Sequence, residues 1–421
     1  MNRAFLAIFV SATLILLLLP EGAALAAAFD PEAATEAYLA SVPAEDRAAS
    51  DAYFEGGYWL ILWNLLYGLA VAWILLASPL SRRMRDFAEK RSKRKFLQTA
   101  LYALQYLLVT FVLGFPITVY QGFIREHQYD LSNMAFGPWF GEQLIGLGVG
   151  LVIMGFGIAV LYMVMRKSGA RWWLWGGAVS TVGLAFLIMF SPVFIAPLFN
   201  DYTPMEEGPL KAEIISMARA NGVPAGNVYV VDQSRQTSRI SANVQGMFGT
   251  LRISLNDNLL EGGTTAEIKA VMAHELGHYL LGHIASMIIQ IGLLLMVGFA
   301  FVAWSFDRAR ARWGANWGIR DITDPAGMPL LFALLSVYFF LATPVFNSII
   351  RVNEVQADIF GLNVAREPDG FATIALKLGK YRKLDPGHWE EIIFYDHPSG
   401  RSRISMSMRW KAESLPEESA D

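Results

Sequence analysis

The chain has 421 residues, 54% of them hydrophobic and 17% charged, with mean hydropathy +0.37. An ordinary soluble domain carries about 25% charged residues, and here the deficit falls in long uncharged runs, which argues for membrane spans rather than one large apolar core. The formal net charge of −3 gives no case for nucleic acid, for which a basic face is expected, and the lack of cysteine excludes disulfides and leaves metal binding to His and carboxylate.

Met1-Asn2-Arg3 precedes an apolar run, Ala4 to Leu19, then Pro20, Glu21 and the small residues Ala23 to Ala28. Residues 1–28 therefore read as a signal-like segment or as a first, uncleaved transmembrane helix. Six further runs free of charge are Tyr58–Leu80, Phe96–Phe123, Leu144–Met165, Trp172–Phe199, Ile284–Ser305 and Met328–Ile350. Each reaches the roughly 20 residues that cross about 30 Å of hydrocarbon. Trp59, Trp63, Trp172, Trp173 and Trp175 stand near run ends, as in an aromatic belt. The loop Arg82 to Lys95 carries eight Lys or Arg, and the loops at Arg166–Arg171 and Arg308–Arg320 are also basic. The positive-inside rule puts these three in the cytoplasm and the intervening polar blocks outside. The acidic stretch Asp30 to Glu55, with Arg47 its only basic residue, agrees.

The expected organisation is 29–199 as membrane helices with loops, 200–283 as the first part of a catalytic domain, 284–350 as a transmembrane hairpin, 351–412 as the second part, and 413–421 as an acidic disordered tail. Within the polar block, Leu210–Asn221 reads as a helix stopped by Gly222. Val228–Val231 and Leu251–Leu255 read as strands, with Gly246 and Gly249 as turn signals. Thr264 with Glu267 forms a capping box for the next helix.

That helix carries His274-Glu275-Leu276-Gly277-His278. H-E-x-x-H on a helix sets two imidazoles one turn apart on one face, able to share a zinc ion, and leaves Glu275 free as general base toward water. A catalytic zinc takes a third protein ligand, and the chain has only six His. The helix is expected to run on through Tyr279-Leu280-Leu281, which makes His283 a poor ligand with a polar role at the helix end. Glu354 is the better candidate, four residues from Asp358 on a shared helix face. One of these carboxylates would bind the metal and the other receive a ligand imidazole N–H. The hairpin between His278 and Glu354 returns the chain to the side it left, so the two can share a site. His397, in Asp396-His397-Pro398-Ser399 with Arg401 and Arg403 following, reads either as a loop residue or, with a guanidinium, as a group that stabilises an oxyanion or grips a carboxylate.

The ordered set Phe194-Ile195-Ala196-Pro197-Leu198-Phe199, Asn243, Leu255-Asn256-Asp257, His274-Glu275-Leu276-Gly277-His278, Asn353-Glu354-Val355-Gln356-Ala357-Asp358 and His397-Pro398-Ser399 with Arg403 resembles the type I CAAX prenyl proteases, membrane zinc endopeptidases with bacterial relatives. The resemblance implies a mainly α, polytopic membrane protein of about seven transmembrane helices around a water-filled chamber, with a gluzincin-like zinc protease domain containing a small β-sheet. It implies Zn2+ held by His274, His278 and Glu354, with Glu275 as base and Asp358 beside a ligand His. It further implies His397 and Arg403 around the scissile carbonyl, and substrate added as a strand near Asn243. It favours the uncleaved first helix and, in contrast to the charge rule, a cytosolic catalytic domain. The expected partners are a peptide or protein substrate, prenylated or membrane-associated, and the lipid bilayer; the chain is expected to be a monomer in a bacterial inner membrane. A quality-control protease of broad specificity and, more remotely, a metal-binding transporter are the competing readings. Transport fits poorly, because the spanning runs hold no charge and no His.

Overall fold

The computed structural model describes residues 29–245 and 251–415. The signal-or-helix segment 1–28, the turn signals Gly246 and Gly249, and most of the acidic tail lie outside the described residues.

Every one of the six uncharged runs between residues 58 and 350 folds as helix. In chain order the first half comprises α1 (Pro31–Ala40), α2 (Ala44–Ala77), α3 (Leu80–Arg91), α4 (Lys95–Val119), α5 (Phe136–Ser168) and α6 (Trp172–Phe194). Among the described residues, five continuous helical stretches are long and apolar enough to cross a membrane, and the third, Phe136–Phe194, is 59 residues long. At about 1.5 Å per residue it would be roughly 89 Å if straight, far beyond a bilayer. A single turn at Gly169–Arg171 divides it into α5 and α6, which pack against each other. The bundle closes on Tyr102, Tyr162, Met165, Trp172, Phe299 and Phe306. Its outer surface exposes Val112, Val152, Phe156 and Leu341, each by more than 60%, which is the ordinary state of a side chain facing lipid.

The three basic loops meet at one end of the bundle. Arg85 Nη1 donates to Asp324 Oδ2 and to the Gly318 carbonyl, both at 2.9 Å, Arg320 Nη1 donates to Glu89 Oε1 at 2.7 Å, and Arg166 reaches the Thr323 carbonyl at 3.5 Å. The catalytic domain occupies the other end.

That domain begins with β1 (Tyr202–Pro204), α7 (Pro209–Ala220), β2 (Val228–Val231), β3 (Ala242–Gln245) and β4 (Arg252–Asn256), followed by α8 (Asp257–Gly262) and α9 (Thr265–Leu280). The strands form one sheet in the order β1-β2-β4-β3, with β2 and β4 parallel and the outer pairs antiparallel. The predicted helix at 210–221 and strand at 251–255 are each displaced by a single residue, and β1 and β3 were not foreseen, three or four residues being too short for a period to show. Ile268, Met272 and Leu276, spaced by four, bury one face of α9 against Ile214, Val228, Ile253 and Leu255. The capping box stands as predicted: Thr264 N–H donates to Glu267 Oε2 at 2.7 Å, and Glu267 N–H to Thr264 Oγ1 at 3.3 Å.

α10 (His283–Trp317) and α11 (Met328–Ala365) form the hairpin, and α12 (Pro368–Leu378), α13 (His388–Phe394) and α14 (Gly400–Ser414) complete the chain. The helix that carries His274 and His278 runs on through Tyr279 and Leu280 with Leu281 as its cap, and Gly282, at φ 69°, turns the chain so that His283 opens a new helix. Glu413 and Ser414, expected to belong to the tail, are instead the last residues of α14, which the buried Ile404 and Met408 hold against Leu39 of α1.

Candidate metal centre and active site

Two glycines set the distance between the helices that carry the site. A Cβ on Gly277 of α9 would stand 3.2 Å from Ala357 Cα, and one on Gly361 of α11 would stand 3.0 Å from the His274 backbone nitrogen. Only residues without a side chain permit this approach, and it brings Glu354 of α11 over the face of α9 that carries both imidazoles.

His274, His278 and Glu354 offer donor atoms that all lie within 4.8 Å of one another. His274 Nε2 is 3.0 Å from His278 Nε2 and 3.3 Å from Glu354 Oε2, and His278 Nε2 is 3.3 Å from Glu354 Oε1. Tetrahedral ligands with metal bonds of about 2.0–2.1 Å sit roughly 3.3 Å apart, so the donor set fits such an ion in chemistry and in spacing. These residues come together as the hairpin parity anticipated.

Around the donors, each ring is held through its other nitrogen. His274 Nδ1 lies 2.7 Å from Asp358 Oδ1, which is fully buried. His278 Nδ1 lies 2.9 Å from His283 Nδ1, and His283 Nε2 lies 3.0 Å from Gln356 Oε1. Because Gln356 Oε1 only accepts, His283 carries its proton on Nε2. Its Nδ1 then accepts from His278 Nδ1–H, and the His278 Nε2 lone pair is left facing the donor group. His283 thus has the polar role at a helix end that was expected of it, and through that role orients the His278 ring. Gln356, quoted in the motif but given no role there, completes the relay. Nothing in the spacing marks either residue.

Arg403 is 8% exposed, with Nη2 donating to Glu354 Oε2 at 3.2 Å and Nε 3.0 Å from Asp358 Oδ2. Its charge offsets the two carboxylates and fixes them together. His397 is brought in from the loop before α14, with Nε2 3.3 Å from Glu354 Oε2 and Nδ1 2.8 Å from Asp396 Oδ1. Burial lowers the His397 pKa while Asp396 opposes it.

A cavity of about 280 Å³ opens on these groups, lined by Glu275, His274, His278, Glu354, His397 and Arg382. Glu275 is not one of the clustered donors. Burial raises its pKa, and the neighbouring imidazoles oppose that rise. The opposite wall is apolar, with Leu259, Val271, Phe371 and Ile374, and Ser241 and Ala242 border it at the start of β3. β3 is an edge strand of the sheet. The Asn243 side chain turns to its neighbour strand, its Oδ1 accepting from Ser254 Oγ at 2.8 Å.

Residues 204–410 match peptidase family M48, and residues 31–201 match the CAAX prenyl protease N-terminal domain of five membrane helices. An uncharacterized metalloprotease, YhfN, of Bacillus subtilis is 27% identical over 84% of this chain and 84% of its own length. A CAAX prenyl protease 1 homolog of Oryza sativa subsp. japonica is 24% identical over 81% of this chain and 80% of its own. The crystal structure of S. mikatae Ste24p superposes with a TM-score of 0.71 at 20% identity, covering 90% of this chain and 94% of that one, and shows the shared fold. With a His-His-Glu donor group at the end of a membrane bundle, the chain belongs to peptidase family M48, as a multi-pass membrane metalloprotease carrying the CAAX prenyl protease N-terminal domain.

Proposed function

We propose that the metal is zinc, held by His274, His278 and Glu354, and that the protein cuts peptide bonds near the C-terminus of membrane-associated, prenylated substrates. The observation that carries this is the three-donor cluster opening, with Glu275, onto one cavity. The substrate class rests on similarity to relatives named CAAX prenyl protease 1.

Zinc, when bound, supplies a Lewis acid that polarises the peptide carbonyl and makes water acidic enough to react near neutral pH. The residues do the rest. Glu275 takes a proton from the attacking water and passes it to the leaving amine as the C–N bond breaks. His397, steadied through Nδ1 by Asp396, donates from Nε2–H in its protonated form to the oxygen on which negative charge develops. Arg403 acts through Glu354 and Asp358 as a positioning residue. The free edge of β3 around Asn243 receives the substrate backbone as an added strand.

The chain resides in a bacterial plasma membrane with its site outside the cytoplasm. The support is the clustering of the three basic loops at the end opposite Glu354. From Met328 to Glu354, α11 climbs 26 residues, or roughly 39 Å, about one membrane.

The test is incubation of the purified protein with a prenylated CAAX peptide and its unmodified twin, with chelator and after zinc is restored. Faster cleavage of the lipidated peptide, lost with chelator and regained with zinc, supports the reading. Equal cleavage of both moves the assignment to broad quality-control proteolysis, which the apolar cavity wall would serve.

A further inference from the structure

On α11, Asn347, Arg351, Glu354 and Asp358 follow one another at spacings of four, three and four, so they share one helix face. The last two build the metal site; the first two hold a loop. Arg351 Nη1 donates to the main-chain carbonyls of Glu391, at 2.8 Å, and of Tyr395, and Nη2 donates to Ser348 Oγ at 3.1 Å. Asn347, 8% exposed, donates from Nδ2 to the Ile393 carbonyl at 2.8 Å. These carbonyls lie at the end of α13, a seven-residue helix whose final C=O groups have no partners within the helix.

Glu391 ties the other side. Its Oε1 accepts from the Ser399 backbone N–H at 2.8 Å and from Ser402 Oγ at 3.1 Å, at the first turn of α14. His397 therefore stands in a bridge from Tyr395 to Ser399, whose near end hangs from Arg351 and whose far end hangs from Glu391. Tyr395 and Ser399 are both buried, and Pro398 fixes a backbone dihedral between them. Arg351 precedes Glu354 by three residues, roughly 4.5 Å of helix rise, so the loop and a metal ligand are held by one rigid element. Neither Arg351 nor Glu391 is among the residues that line the active cavity.

We infer that Arg351 and Glu391 are positioning residues of the peptidase: together they clamp the His397 loop to the helix that carries Glu354, a role that rests on the reading of His397 given above. The clamp keeps His397 Nε2 3.3 Å from Glu354 Oε2, beside the place where charge develops on the substrate. A donor helps a transition state only if it is already in place, and a free loop would have to be ordered at every turnover, at a cost of about 1–2 kcal/mol per residue. The clamp acts on His397 and leaves the metal alone, since among the described residues no hydrogen bond joins either side chain to His274, His278 or the Glu354 carboxylate.

The test is kcat and KM for peptide hydrolysis by the purified, zinc-loaded full chain, with each variant made in the wild type and in His397→Ala. Misplacement by about 1 Å can cost about 10²-fold in rate. Glu391→Ala and Arg351→Ala should therefore lower kcat by about ten- to hundredfold, with KM and zinc content near wild type. Glu391→Gln, which keeps an acceptor oxygen for Ser399, should recover most of this, and the milder Ser402→Ala should lose less. In the His397→Ala background the same changes should alter kcat by less than about twofold, because the group they position is gone. An equal loss in both backgrounds overturns the inference, as does an unchanged kcat in Glu391→Ala or a loss of zinc that parallels the fall. Carbethoxylation by diethyl pyrocarbonate, read by mass spectrometry, follows the loop without any substrate. His397 should react several-fold faster in Glu391→Ala than in the wild type, with the exposed His388 as the unchanged reference; equal His397 rates overturn the clamp. If His397 labelling rises but the wild type cuts no peptide, the proteolytic reading fails while the clamp stands.

Discussion

Gly361 lies against His274, so close that a Cβ on the glycine would stand 3.0 Å from the His274 nitrogen and 3.2 Å from its Cα. This one approach decides whether the carboxylate of α11 can meet the imidazoles of α9. Gly361→Ala must push the helices apart by a few tenths of an ångström, and overpacking of this kind costs about 1–3 kcal/mol. We expect a lower unfolding midpoint together with reduced zinc content. A variant with wild-type zinc content and midpoint would show that the approach does not control the site.

Glu275 and Glu354 should separate chemistry from metal binding. Glu275→Gln keeps the donor group intact and removes the base, so metal content should be unchanged while kcat falls about 10²–10⁴-fold. Glu354→Ala removes a donor and should empty the site. Elemental analysis beside peptide hydrolysis reads both; full activity in the metal-loaded Gln variant would remove Glu275 from the mechanism.

The relay from Gln356 through His283 to His278 makes a prediction that the ligand motif alone does not. His283→Ala leaves the His278 Nδ1–H without its acceptor at 2.9 Å. Loss of such an outer partner typically weakens metal binding about 10–100-fold. Competition with a zinc chelator of known affinity measures this, and unchanged affinity would reduce His283 to a helix terminus.

The Glu267 cap gives stability a pH dependence of known sign. Burial alone would raise its pKa, but Lys377, 2.6 Å away, and the Thr264 backbone lower it below the ordinary carboxylate value. A group whose folded pKa is depressed stabilises the fold above its unfolded value, near 4.3, and this contribution disappears as pH falls through the folded value. The unfolding midpoint of the wild type should therefore drop on acidification below about pH 4.5 by more than that of Glu267→Gln. Parallel curves for the two would show that the cap has no such effect.

The proposed side of the membrane rests on the basic loops clustered opposite the site. An alkaline phosphatase fusion after residue 421 should be active and a green fluorescent fusion at the same point dark. The reverse pair of signals would place the site in the cytosol and set this chain against the positive-inside rule.

What the sequence by itself determined is local or periodic. A spanning helix is written in one uninterrupted apolar run. The capping box at Thr264 and Glu267 sits within one turn, and His274 and His278 share a face because a helix repeats every 3.6 residues. Glu354 was legible one step further, since an out-and-back hairpin has to return the chain to the side it left. Tertiary structure alone decided the rest. The turn at Gly282 sends His283 back to His278, and the loop before α14 carries His397 to Glu354. No period encodes these contacts, and the packing of α9 on α11 that sets the site is fixed by two missing side chains, at Gly277 and Gly361.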